Sequence, residues 1–209
     1  MQGDKVMASL SGPHRALLSL IGALTVLSLV AACAPLEKRV HLSYQTSVSA
    51  RGGSGQFFIA QPVEQHGATP LPSGRWAIGK AESEGTDIVI MQRAGDWLLS
   101  ALVQELSAAG YEVRTVAVLP VGAVKGMKPA IATLSANQSS SALILSTVAE
   151  MKVVAEISKD GQLVKTVSVQ AKDHEEGLDR SSEPIRLALE KTLRALMQEL
   201  IPEVLKVLD

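Results

Sequence analysis

The sequence predicts an α+β domain: one layer of mostly antiparallel sheet with two main helices packed on one face. Three observations carry this. Apolar residues recur at helical spacing after Asp96 and again after Ser182, and the two segments around Asp160-Gly161 read as β-type chain joined by a tight turn. Helices on one face of a single sheet are the simplest way to bury such faces together.

In chain order, Val40–Val48 alternates as a strand should, and Arg51-Gly-Gly-Ser-Gly55 breaks it. That glycine-rich run lacks the Lys-Ser/Thr ending of a phosphate loop and leads into no helix, so it reads as a turn. Phe57–Val63 is a second extended run, and His66–Gly74 is a loop by its Pro, Gly and Ser content. Trp76–Gly79 and Asp87–Met91 flank the turn material Glu82–Gly85 as short strands. The first helix is expected to start at Asp96 as N-cap, with Leu98, Leu99, Leu102, Val103, Leu106 and Ala109 on its apolar face and Gly110 ending it. Tyr111–Val118 leaves as a strand that Pro120 closes.

Residues 126–138 are expected to form a shorter helix through Ala130, Ile131 and Leu134, with Pro129 in its first turn. Ala142–Val148 continuing into Met151–Ile157 is a long β stretch, and Leu163–Val169 returns antiparallel through Asp160-Gly161. The last helix opens at Ser182 as cap, lines one face with Ile185, Leu189, Leu193, Leu196, Leu200 and Val204, and should end or kink near Glu199–Ile201 because of Pro202. The order after residue 90 is thus α-β-(α)-β-β-α.

Before this domain lies a leader. A weakly basic start with Lys5, His14 and Arg15 precedes an apolar run from Ala16 to Ala32 that ends in small residues, which is the pattern of a secretory signal. The run sits at the lower limit of the roughly 17–25 residues that span a bilayer, so a transmembrane anchor is the alternative on length alone. The last four positions, Val30-Ala31-Ala32-Cys33, decide between them: they resemble the lipobox of bacterial lipoproteins. The resemblance implies cleavage between Ala32 and Cys33, acylation of Cys33, and a lipidated tether over residues 33–39 before a periplasmic domain over 40–209. Ala34 stands where aspartate usually signals inner-membrane retention, which implies sorting to the outer membrane of a Gram-negative envelope.

Composition narrows function further. The chain has 20 Lys+Arg and 21 Asp+Glu, stays near neutral once Asp4, Lys5 and Arg15 are set aside, and has no basic run, so nucleic acid is not an expected partner. Cys33 is the only cysteine, which excludes an internal disulfide and thiolate-rich zinc sites. His14, His41, His66 and His174 show no metal-binding spacing, and His174-Glu-Glu is not the two-histidine protease motif. No Gly-x-Ser-x-Gly or Ser-x-x-Lys motif occurs, and an acylated Cys33 is no nucleophile, so no catalysis, metal or cofactor is expected. Asp173, Glu175, Glu176 and Asp179 read as a solvated connection before the last helix, and Asn137-Gln-Ser139 as an inert acceptor pattern. Trp97, opening an amphipathic helix, is expected in the core; Trp76, near loops, is the candidate partner contact.

Ala94–Val118, AGDWLLSALVQELSAAGYEVRTVAV, resembles the matching part of YajG-like lipoproteins, in which a Trp-Leu-opened helix carrying Ala-Leu and Glu-Leu pairs ends in Ala-Gly-Tyr-x-Val. Similar units occur in peptidoglycan-synthase activator lipoproteins and in transporter auxiliary lipoproteins. The resemblance implies a small periplasmic domain without cofactor. Two functions follow as expectations: an interaction module with an envelope protein partner, or an auxiliary lipoprotein of a lipid or solute transport system that binds an apolar ligand. An envelope hydrolase is a distant third.

Overall fold

The computed structural model describes residues 37–65, 69–71, 75–82, 84–141 and 143–208. The leader, Ala32, Cys33, His14 and His66 lie outside the described residues, as does most of the expected 33–39 tether. In chain order the elements are β1 Glu37–Val40, β2 Gln56–Ala60, β3 Val63–Glu64, β4 Thr69–Pro70, β5 Trp76–Ala81, β6 Thr86–Ile90, α1 Ala94–Ala109, β7 Glu112–Val116, β8 Lys125–Ser141, β9 Ile144–Lys159, β10 Gln162–Gly177 and α2 Glu183–Leu208. They form the α+β arrangement the sequence predicts: two helices on one mixed, mostly antiparallel sheet.

β8, β9 and β10 make a long antiparallel meander, with Lys125 opposite Lys159, Ser141 opposite Ile144 and Gly177 opposite Leu145. At about 3.3 Å per residue each strand spans roughly 50 Å. The free edge of β8 is shared: β2 joins it in parallel at Gly126 and Met127, β3 at Ala130 and Ile131, and β5 at Gln138. β7 extends β2, while β6 and then β1 extend β5. The helices cover one face, and a single core of residues such as Phe57, Leu98, Leu102, Met127, Ile157, Leu189 and Leu200 fills the space between.

Residues 126–138 are strand, not the helix expected from Ala130, Ile131 and Leu134. The buried side chains are Met127, Pro129, Ile131, Leu134, Ala136 and Gln138. That is a period of two with one slip, and the register indeed shifts between Ile131 and Thr133. The bulge puts two inward residues three apart, which imitates a helical turn. Pro129 falls between the β8 residues paired to β2 and those paired to β3, where a missing N–H is tolerated.

Pro202 does not stop α2, which continues to Leu208. Proline costs a helix about 3 kcal/mol, but Val204, Leu205 and Leu208 beyond it are buried. Burial contributes about 1.5–3 kcal/mol for each such side chain, so continuing the helix wins. Pro202 itself is exposed, as is Gln198 one turn earlier, whose carbonyl loses its intrahelical donor on the solvent side. At the start of α2, Ser182 accepts the Arg186 N–H through its carbonyl, and the Ser181 hydroxyl accepts the Glu183 N–H at 3.1 Å.

The expected strand Val40–Val48 ends at Val40, and β1 already begins at Glu37, inside the expected tether. Beyond it, side chains take the place of a ladder. Gln92 both accepts from Leu42 N–H at 3.2 Å and donates to its carbonyl at 2.6 Å. Glu190 accepts from Ser43 N–H at 2.9 Å, the Trp97 indole donates to the Ser43 carbonyl at 3.0 Å, and Glu105 accepts from Ser47 N–H at 2.7 Å. These backbone groups of Leu42, Ser43 and Ser47 find partners without strand pairing.

Gly110 ends α1 as expected, at φ 113°, with Tyr111 N–H reaching the Leu106 carbonyl at 3.1 Å. A Cβ there would lie 2.6 Å from the Gly53 carbonyl oxygen. Gly110→Ala is therefore expected to lower stability by about 2–3 kcal/mol, read as a lower urea midpoint at unchanged slope.

Candidate functional site

β5 pairs antiparallel with β6, Ala77 opposite Val89, and this brings Trp76 beside the chain leaving β6 toward α1. β3 approaches from the other side because it shares the edge of β8 with β5. An open groove of about 610 Å³ results between the two blocks of strands, lined by Pro62, Val63, Arg75, Trp76, Met91 and Arg93 among others. Trp76 is 48% exposed and Val63 55%, so an indole and a valine form its accessible apolar surface. This is where the structure places the tryptophan singled out by sequence.

Ion pairs among the described residues flank the groove. Arg75 donates to Glu37 at 2.7 Å and lies 3.7 Å from the Met91 sulfur. Glu64 accepts the Gly95 N–H at 2.8 Å and faces the Arg93 guanidinium at 3.8 Å. Glu64 thus caps α1 from a neighbouring strand, and its charge complements the helix N-terminus. The cap expected from Asp96 is overturned: the helix starts at Ala94, Asp96 lies inside its first turn, and the N-cap position belongs to Arg93, whose side chain makes no capping bond.

Trp97 is buried in the core, as expected. His41, in the chain after β1, and His174, on β10, are both exposed. The acidic residues taken for a connection are mostly strand: Asp173, Glu175 and Glu176 belong to β10, and Glu175 pairs with Lys191 on α2. Asp179 does lie in the connection, where hydrogen bonds from the Ser181 N–H and hydroxyl, both 2.8 Å, hold its carboxyl below the usual range. Among the described residues no three His, Cys, Asp or Glu side chains gather as a metal site.

Two surfaces escaped the sequence reading. The loop between β7 and β8 exposes Val118, Val121 and Val124 next to Leu163 and Val164. It is tied to the β9–β10 turn by Asp160 N–H to the Val124 carbonyl and Gly161 N–H to the Ala123 carbonyl, both 2.9 Å. The signal was present as an apolar run, Val116–Val124, interrupted by Pro120 and Gly122. At the opposite end of the sheet Leu143, Ile144 and Leu178 are exposed together.

No family model matches the chain, and no curated protein matches it. Solved structures do. Protein XCC0632 from Xanthomonas campestris, of family DUF330, superposes with a TM-score of 0.57 at 14% identity, over 81% of this chain and 95% of that one. A Helicobacter pylori neuraminyllactose-binding hemagglutinin homolog aligns at 0.46 and 12%, over 81% and 92%. Lipoprotein GNA1162 from Neisseria meningitidis aligns at 0.33 and 13%, over 73% and 99%. At these identities the first likeness establishes the fold alone: the chain shares the architecture of the Xanthomonas protein.

Proposed function

We propose that this protein is a non-enzymatic lipoprotein of the Gram-negative outer membrane, anchored through Cys33, whose periplasmic domain binds an envelope protein at the Trp76 groove during envelope assembly or maintenance. The lipobox Val30–Cys33 and the YajG-like segment Ala94–Val118 support the class. The observation that carries the interaction reading is the half-exposed Trp76 in an open groove beside Arg75, Met91 and Arg93. Tryptophan and arginine dominate the energetics of protein interfaces, and methionine is enriched in them. Tethering keeps the domain near its partner, so modest intrinsic affinity suffices.

A photo-crosslinking residue at Val63 is expected to yield one discrete adduct in intact cells. Trp76→Ala should abolish it, since losing a central tryptophan costs about 2 kcal/mol or more, roughly thirtyfold in Kd. An adduct unaffected by Trp76→Ala would remove the groove from the proposal. The anchor is tested separately: labelling by a palmitate analogue should vanish in Cys33→Ala and persist in wild type.

The groove's volume also favours a second reading, because pockets for small ligands occupy about 300–1,000 Å³ and are mostly apolar. An auxiliary role in lipid or solute transport predicts a co-purifying apolar molecule, seen by native mass spectrometry and lost in Trp76→Ala.

A further inference from the structure

We propose that the end of the sheet carrying the β8–β9 turn is a membrane-seating surface, on which Leu143, Ile144 and Leu178 rest in the interface of the leaflet that holds the lipid on Cys33. The proposal rests on the anchoring reading above and adds which face of the domain meets the bilayer.

Chain length makes the first argument. Four residue steps separate Cys33 from Glu37, where β1 begins, and extended chain covers at most about 3.3–3.6 Å per residue, or some 14 Å in all. β1 runs parallel to β6, which is antiparallel to β5, and β5 runs parallel to β8. The chain therefore enters β1 from the end where β8 finishes. Lengthening the tether by peeling β1 away is opposed by Lys38, which is 9% exposed. Its ammonium donates to Gln138 at 2.7 Å, to Glu84 at 3.2 Å and to the Arg180 carbonyl at 2.8 Å. The domain's starting strand is thus held within a short distance of the acyl chains.

Surface chemistry makes the second. Beyond Gln138 the β8–β9 hairpin continues for three residues, about 10 Å, to Ser141. Its tip shows Leu143 83% and Ile144 52% exposed, and Leu178 at 73% follows Gly177, the partner of Leu145. Large aliphatic side chains next to the uncharged Ser139–Ser141 suit the boundary between headgroups and acyl chains. The exposed charges nearby, Lys80 and Arg180 against Glu82, Glu84, Glu176 and Asp179, lean acidic, so apolar insertion rather than attraction to anionic lipid holds the contact. Val121, exposed on the loop beside the β9–β10 turn, lies at the other end of the meander, about 50 Å away by strand length.

Because acylation consumes the Cys33 thiol, a second cysteine can be labelled alone. Full-length lipidated Leu143→Cys, Leu178→Cys and Val121→Cys would each carry an environment-sensitive NBD probe and be reconstituted in phosphatidylethanolamine–phosphatidylglycerol vesicles, with or without bromine on the acyl chains. The expected result is blue-shifted emission at 143 and 178 that brominated lipid quenches, and water-like, unquenched emission at 121. Water-like emission at 143 and 178 would overturn the seat, as would a blue shift there that bromine leaves untouched, which would mean cover by protein. Equal quenching at all three positions would overturn it too. Probe uptake by the wild-type chain would show Cys33 to be free, which sinks the anchor and the seat together.

Discussion

Glu105→Leu is expected to lower stability by about 3–5 kcal/mol, because a buried donor left unmatched costs about 1–3 kcal/mol and this change strands several at once. The Glu105 carboxylate, 1% exposed on α1, accepts the Tyr44 hydroxyl and the N–H groups of Ser47 at 2.7 Å and Val48 at 3.2 Å. Leucine would fill the space and satisfy none of them. Glu105→Gln keeps a carbonyl acceptor and should lose markedly less. Urea titration gives the totals, and hydrogen exchange should show residues 42–50 opening before the sheet in the leucine variant. An unchanged midpoint in Glu105→Leu would mean that the segment is held by Gln92, Trp97 and Glu190 alone.

The same contact predicts an alkaline effect. Burial, then the hydrogen bond to Glu105, push the Tyr44 phenol above its ordinary value. A phenol in the unfolded chain ionises near about pH 10. The raised folded value means that this stabilisation is complete below that pH and is lost as pH climbs toward the folded value. Stability should therefore fall above about pH 10 with a steeper slope in wild type than in Tyr44→Phe.

What the sequence made legible is what local pattern can encode. α1 and α2 carry their faces in i, i+3, i+4 spacing, and Asp160-Gly161, with φ of 53° and 76°, marks the hairpin. β8 was misread because one bulge converts a period of two into a spread of three. Of the two outcomes expected at Pro202, an end or a kink, the end does not occur, because its local cost is outweighed by the burial of the turn after it. Segment 42–48 was misread because its hydrogen bonds go to side chains 50 to 147 residues away. The candidate site divides in the same manner. Trp76 was visible as a rare aromatic near loops, whereas the residues that make it a groove, Val63 and Glu64 on β3, Arg75, and Met91 after β6, meet only because β3 and β5 share one edge of β8.

Lys38→Met is expected to cost about 2–4 kcal/mol, because it strands the buried Gln138 oxygen and the Arg180 carbonyl at about 1–3 kcal/mol each, while Glu84, 29% exposed, turns to water. The ammonium uses all three of its donors, on Gln138, Glu84 and the Arg180 carbonyl. Gln138 is fully buried and passes a further hydrogen bond of 3.0 Å to the Thr147 hydroxyl on β9. Methionine preserves the stem and its packing while leaving the Gln138 oxygen and the Arg180 carbonyl without this donor, so the effect reports the charge and its hydrogen bonds rather than lost volume. The three partners come from the turn before β6, from β8 and from the connection into α2, so one side chain fastens β1 to the hairpin and to the last helix. Its loss should act first on β1, which among the described residues joins the sheet only through β6. Faster hydrogen exchange in Glu37–Val40 and in its partner strand Thr86–Ile90, ahead of any change in β9, is the expected pattern, alongside a lower urea midpoint. Lys38→Arg retains the charge but not the compact three-way geometry, and should recover only part of the stability.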